Sequence, residues 1–532
     1  MGNILNPRTP SIMKHDFQHV PTIGAKRSKF HQPARYVTMF DSGKLIPIEC
    51  MEILPGDTIK VDNTLLCRLT TPIVPFMDNL YLDTQYFFVP SRLVWANFKK
   101  FMGEKANPDS STDFTIPIVT PPTGGHTIES LADYFGIRIK PGVELELNAL
   151  PFRAYNLIYN EFYRDQNIID SLTVETDDGP DAASLYSVRR RGKRFDYFTS
   201  CLVQPQTGGD PISIAMTGDA PVKGLGSSNQ TFASSSSNAY ETDGTGAIVY
   251  AHYQNYTPYV LEDPNNTGFP NIRADLSGVS AVSISAWREA LQLQALAELE
   301  MRGGQRYIEI VYSSFQVKSP DARLQRPEYL GGSSTPIYVT PVAQASATDA
   351  ETPQGNLAAY AVGLNQRDGF TKSFTEHGYL IGIASVRADL TYSQGVHRMW
   401  TRSTKHDFMW PLLQNIGDQT VLQREIFATG VPAEDELVFG YQERYAEYMY
   451  GHSLITGKLR PDHATALDFW HLSQEFSTAP TLDQNFIEEN PPVARVVAVT
   501  DQPQFVMDVF KNTEATRPMG RFSLPGYLGS RL

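Results

Sequence analysis

Punctuation constrains this sequence more than any other feature. From Tyr36 onward, apolar bursts of five to eleven residues are cut short by turn residues. "YVTMF" runs into "DSGK", "LIPIECMEIL" into "PGD", and "LYLDTQYFFVP" stops at Pro90. Runs this short, closed by Gly, Pro and Asp, read as strands of a sandwich or barrel. The 26 Tyr and 28 Phe point the same way, because flat rings fill a pleated face well. With 38 Gly and 36 Pro in no regular period, turns and long loops are abundant and a helical repeat is excluded. The expected class is mainly β, and 532 residues are enough for one large β architecture with insertions.

Helices interrupt the pattern in a few places. "PSRLVWANFKKFMGE" (90–104) is a short helix candidate, and "ALPFRAYNLIYNEFYRDQN" (149–167) carries Phe152, Tyr155, Ile158, Tyr159 and Phe162 at helical spacing. A third, "SAWREALQLQALAELEMRGG", has Ser285 as expected N-cap and Gly303 as C-cap, and its apolar residues surround the axis, which implies burial against several neighbours. "RYIEIVYSSFQV" (306–317) and "GYLIGIASVRADLTYS" (378–393) read as strands. The chain divides into a basic arm at 1–35, a first core part at 36–204 with helical insertions, a polar excursion at 205–280, and a second core part at 281–532 with long loops and a C-terminal extension. The arm holds six basic residues against Asp16, and the excursion holds seven acidic residues against Lys223 and Arg273.

Catalytic chemistry leaves no trace. There is no P-loop, no G-x-G-x-x-G, no G-x-S-x-G and no H-E-x-x-H, and the 11 His are dispersed. Cys50, Cys67 and Cys201 form neither a paired scaffold nor a zinc spacing, so no metal and no cofactor is expected. No apolar run is long enough to cross a bilayer, and the N-terminus lacks the apolar stretch of a signal peptide, so no membrane insertion is expected. The strongest local feature is "SVRRRGKRFDYFTS" (187–200), which packs Arg189, Arg190, Arg191, Lys193 and Arg194 beside Phe195, Tyr197 and Phe198, in a chain of formal net charge -13. Such a knot can grip phosphates while its rings stack on unpaired bases. It can equally form intersubunit ion pairs or a solvated turn.

Several blocks together are more specific than any motif. "MKHDFQHVPTIGAKRSKF", "FDSGKLIPIECMEILPGDT", "RLTTPIVPFMDNLYLDTQYFFVPSRLVWANFKKFMGE", "LPFRAYNLIYNEFYRDQN", "RGKRFDYFTSCLVQPQTG" and "RGGQRYIEIVYSSFQVKSPDARLQRPEYLGGS" stand here in the order found in the major capsid proteins of Microviridae, and the chain resembles that family, especially its gokushovirus branch. The resemblance covers roughly three quarters of the chain and weakens toward "TRPMGRFSLPGYL".

The resemblance implies a structural protein and no enzyme. It implies a single eight-stranded viral jelly roll with long interstrand insertions, assembled into a T=1 shell around circular single-stranded DNA, found in the virion and put together in the cytoplasm of a bacterial host. Implied partners are further copies of the chain, the DNA genome, a small basic DNA-binding protein, an internal scaffolding protein, a DNA pilot protein and a host-surface receptor met through 205–280, a threefold protrusion by position. On this reading Arg189, Arg190, Arg191, Lys193 and Arg194 neutralise genome phosphates inside the shell or at a subunit junction near it, helped by Lys26, Arg27 and Lys29. The alternative for a jelly roll with aromatic surfaces is a carbohydrate-binding protein.

Overall fold

A computed structural model describes residues 27–140, 142–207, 284–304, 306–317, 325–343 and 357–521, with residue 345 and the short pairs 222–223 and 273–274. Most of the 205–280 excursion and the first 26 residues, Lys26 included, lie outside the described residues. The chain divides into two compact units, one of residues 1–205 and 303–532 and the other of residues 206–302.

Eight strands organise the larger unit: β1 (Ser28–Phe40), β2 (Ile46–Ile53), β3 (Asn63–Leu69), β4 (Leu80–Pro90), β5 (Glu328–Ala343), β6 (Leu357–Asp368), β7 (Gly378–Ala388) and β8 (Phe505–Arg517). All their pairings are antiparallel, in the orders β1-β8-β3-β6 and β2-β7-β4-β5. The chain crosses between the two sheets from strand to strand, except that β4 and β5 are sheet neighbours, and this is the jelly-roll arrangement. Strand β5 joins the sheets at one corner. Its first part, up to Ile337, pairs with β4, and its last part, from Tyr338, pairs with β6. The short strand Thr58–Val61 pairs with the last part of β8 on the same edge as β3, and Thr371–Ser373 pairs with it in turn.

The period of two explains why one sheet is buried on both faces. In β4, Leu80, Leu82, Tyr86 and Phe88 enter the core between the sheets, while Phe87 and Val89 enter a second core on the outer side. In β7, Leu380, Ala384, Val386 and Ala388 take the inner face and Tyr379, Ile381 and Ile383 the outer. β7 therefore reads as an almost unbroken apolar run, and β4 as two apolar stretches around Asp83, Thr84 and Gln85. Gly382 belongs to the inner set. A Cβ there would stand 2.8 Å from the Tyr86 ring, so the missing side chain is what lets that ring lie across the strand.

The outer core is closed by helix α1 (Leu150–Ile158), which continues as a π-helical turn, Tyr159–Tyr163. Phe152, Tyr155, Ile158 and Tyr159 from this stretch are all buried against the sheet. A third core gathers Tyr197, Phe198, Val421, Phe439 and Phe486, outside the sandwich.

The structure departs from the sequence reading at four points. The 90–104 helix is two single turns, Ser91–Val94 and Phe98–Phe101. The long helix α2 (Ile284–Gly303) already includes Ser285, and the left-handed residue at its end is Gly304, at φ 97°. Residues 28–35, counted with the basic arm, are the first half of β1 and pair with β8 throughout. Residues 306–317 are not a strand but helix α3 (Tyr307–Phe315). Its β-branched residues favour a strand, but the Glu309 carboxylate reaches back to accept from the Arg306 amide (3.4 Å) and guanidinium (3.0 Å) at its start, and Gln316 ends it in the left-handed region. Local propensity loses to the two caps.

Candidate nucleic-acid interface

Segment 189–193 is threaded between two others by its backbone. The Leu45 amide donates to the Arg189 carbonyl (2.8 Å) and the Arg191 amide to Gly43 (2.9 Å). On the other edge, Lys193 donates to Ile487 and Glu489 to Arg191, each at 2.8 Å. Gly43, at φ 76°, is required there, because a Cβ would lie 2.0 Å from the Glu489 carbonyl oxygen.

Zipping at this pitch sends alternate side chains to different environments. Arg190 donates Nη1 to the carbonyls of Ser42 (2.9 Å) and Glu489 (3.1 Å) and to Asn490 Oδ1 (3.1 Å). Arg191 is turned inward, 9 % exposed, and donates to Asp83 Oδ2 and Ser385 Oγ, both at 2.8 Å. Asp83 also meets Arg387 at 2.8 Å. Lys193 is buried, donates to Gln474 Oε1 (2.7 Å) and lies 4.3 Å from the centre of the Phe486 ring. Burial pushes its ammonium down to about 8 from the usual lysine range, against the pull of Glu489. Burial likewise raises the Glu489 carboxyl and lowers Arg387 to about 10, the latter helped by the neighbouring Arg191 charge.

Arg194 is the basic side chain of the knot that faces outward, 40 % exposed, over the Tyr81 ring at 4.9 Å and 3.6 Å from Asp389. Arg189 is half-buried. Of the three rings, Phe195 is 79 % exposed and free to stack, whereas Tyr197 and Phe198 are buried in the third core, Tyr197 donating to Glu425 Oε2 at 2.8 Å. A turn of helix at Gln484–Ile487 holds Phe486 under Lys193, and Asp483 Oδ1 caps it by accepting from the Phe486 amide at 2.9 Å. Asp483→Ala is expected to cost about 1 kcal/mol of unfolding free energy, read as a shift in denaturant midpoint with unchanged slope.

The arm does not join the knot. Arg27 donates to the Gly56 carbonyl (2.6 Å) and Thr58 Oγ1 (2.9 Å), and Lys29 pairs with Glu514 at 2.7 Å. These lie at the start of β1 and the knot at its far end, about 40 Å along a strand of this length. In their place the fold brings Arg164 and Arg387 to the knot, lining one cavity with Arg191 and Lys193. Arg164 carries no sequence signal. Arg387 carries one, a charge inside the apolar run "GYLIGIASVRA".

Known proteins speak to the whole chain at once. A family model described as capsid protein (F protein) matches residues 18–527. The chain is similar to capsid protein VP1 of Bdellovibrio phage phiMH2K, 41% identical over 534 residues that cover 97% of this chain and 98% of the relative. It is also similar to capsid protein VP1 of Chlamydia phage 1 (40% identical) and of Spiroplasma virus 4 (35%), each alignment covering 98% of both chains.

Proposed function

We propose that this chain, which belongs to the phage capsid protein (F protein) family and is a structural capsid protein of the gokushovirus branch of Microviridae, closes with identical copies into a T=1 icosahedral shell around circular single-stranded DNA. The observation that carries this reading is similarity over almost the full length to three capsid proteins, laid on one eight-stranded sandwich. Self-association has ready surfaces. Trp400, Trp410, Leu412, Ile416 and Leu454 stand exposed on the larger unit, and Trp287, Leu291 and Leu293 of α2 on the smaller. Apolar side chains in this number are what a shell buries between neighbours, and symmetry repeats each modest contact.

Genome contact falls to the outward part of the knot, Arg194 with Phe195 beside it, and to Arg189. A subunit of net charge -13 needs other cations to neutralise DNA, which supports a small basic DNA-binding protein as partner. An internal scaffolding protein, a DNA pilot protein and assembly in the host cytoplasm complete the reading, with receptor contact through 205–280.

Sedimentation of the purified protein with nuclease protection on the same fractions tests it. A megadalton particle that shields single-stranded DNA is the expected result. Small oligomers without protected DNA would remove genome packaging and leave carbohydrate binding as the reading to pursue. Arg194→Glu is the clean probe of the knot, since its ion pair with Asp389 is long and solvent-exposed. The salt slope of oligonucleotide binding is expected to fall by about one.

A further inference from the structure

The cavity beside the knot has a volume of about 190 Å³. Arg164, Arg191, Lys193 and Arg387 line it, and Asp165 is the one carboxylate on its wall. Behind the wall, Asp83 is shared between Arg191 and Arg387, and Glu489 is buried close enough to influence all but Arg164. On the wall itself the four cations face the lining carboxylate Asp165, while Asp83 and Glu489 act on them from behind it and Asp196 acts on Lys193. Positive charge therefore predominates on the wall, with Arg191 and Lys193 themselves buried, and a desolvated cation is costly unless an anion completes it.

Donors are left over as well. The Nε atoms of Arg164 and Arg191 are buried and have no hydrogen-bond partner among the described residues. A guanidinium fork with an idle N–H suits a phosphate oxygen in geometry and charge. At the mouth, Phe195 is among the lining residues and is largely exposed.

We propose that this cavity binds a phosphate group, taken by the guanidinium groups of Arg164, Arg191 and Arg387 and the ammonium of Lys193. Two sources share that chemistry: a free phosphate ion, and a phosphodiester of the single-stranded genome whose base stacks on Phe195. Phosphate binding stands without the genome reading, and only the second source rests on it.

The test is calorimetric titration of the full-length protein, first with inorganic phosphate against chloride at matched ionic strength, then with a short oligothymidylate. Saturable phosphate binding is expected, weakened about tenfold or more by Arg164→Gln, as for loss of one charged hydrogen bond. An oligothymidylate bound more tightly than phosphate, with the excess lost in Phe195→Ala, identifies the genome as source. Equal affinity with no effect of Phe195→Ala identifies free phosphate. Wild-type protein that takes up phosphate no better than chloride overturns the proposal, with no variant needed. Phosphate binding that ignores Arg164→Gln in a folded protein also overturns it, and oligothymidylate binding that does so removes the genome as source.

Discussion

Arg153→Ala is expected to lose about 3–5 kcal/mol of unfolding free energy, the largest effect of any single change argued from this structure. Arg153 sits on α1 with its side chain 0% exposed, and its guanidinium takes Asp181 bidentately at 2.7 and 2.5 Å. Its remaining donors go to the carbonyls of Val94 (3.0 Å) and Asp177 (2.9 Å) and to Asp177 Oδ1 (3.2 Å). Asp181 is 1% exposed and also accepts from Tyr186 at 2.5 Å. Removing the arginine leaves a carboxylate stranded in a dry site and two carbonyls unpaired, and it unpins residues 177–186 from the helical layer. Denaturant unfolding of Arg153→Ala, Asp181→Ala and Arg153→Met with Asp181→Leu separates the causes. The double variant is expected to recover much of the loss, since a packed apolar pair escapes the desolvation that the ion pair carries. Equal losses in all three would show that the site matters for shape and not for charge.

That ion pair also shows where sequence reading reaches its limit. The β class and most strand positions were legible, because short apolar bursts closed by turn residues, such as "LYLDTQYFFVP", are a local property. Resemblance supplied the jelly roll, and the pairings β1-β8-β3-β6 and β2-β7-β4-β5 agree with it. Pairing across residues 91–327 is settled by shape complementarity between distant segments, which no window of sequence contains. The misread 306–317 segment is the local counterpart. Alternating Ile and Val spoke for a strand, and a cap formed by Arg306 with Glu309 decided for a helix.

The knot was legible as charge but not as direction. Five basic residues in six positions are conspicuous in the sequence, yet backbone zipping to 43–45 and 487–489 turns Arg191 and Lys193 inward and leaves Arg194 outside. Their internal partners, Asp83, Gln474 and Glu489, lie roughly 100 to 300 residues away, so the sequence offered no sign that a basic run would be shared between surface and core.

Lys193 supplies the second large effect, and its sign can be worked out. Burial lowers its ammonium to about 8 in the folded protein, from 10.5 when solvated. Below pH 8 both states are protonated and the fold bears the full cost of a desolvated charge, about 3 kcal/mol. Between pH 8 and 10.5 the unfolded chain holds a proton that the folded protein has released, so the cost fades and stability gains as pH rises. Other groups titrate in the same window, and comparison with Lys193→Met removes them. From pH 7 to pH 9.5, in phosphate-free buffer, the unfolding free energy of wild type is expected to gain about 2 kcal/mol on that of the variant. A gap that does not move with pH would mean that Lys193 is solvated in solution. Repeating the series with phosphate gives the comparison its wider meaning. An anion beside Lys193 favours the charged ammonium, so the folded value rises toward 10.5 and the pH dependence of the gap collapses. A lysine that weakens the empty protomer and ceases to do so when phosphate is bound would couple the stability of the subunit to what it encloses.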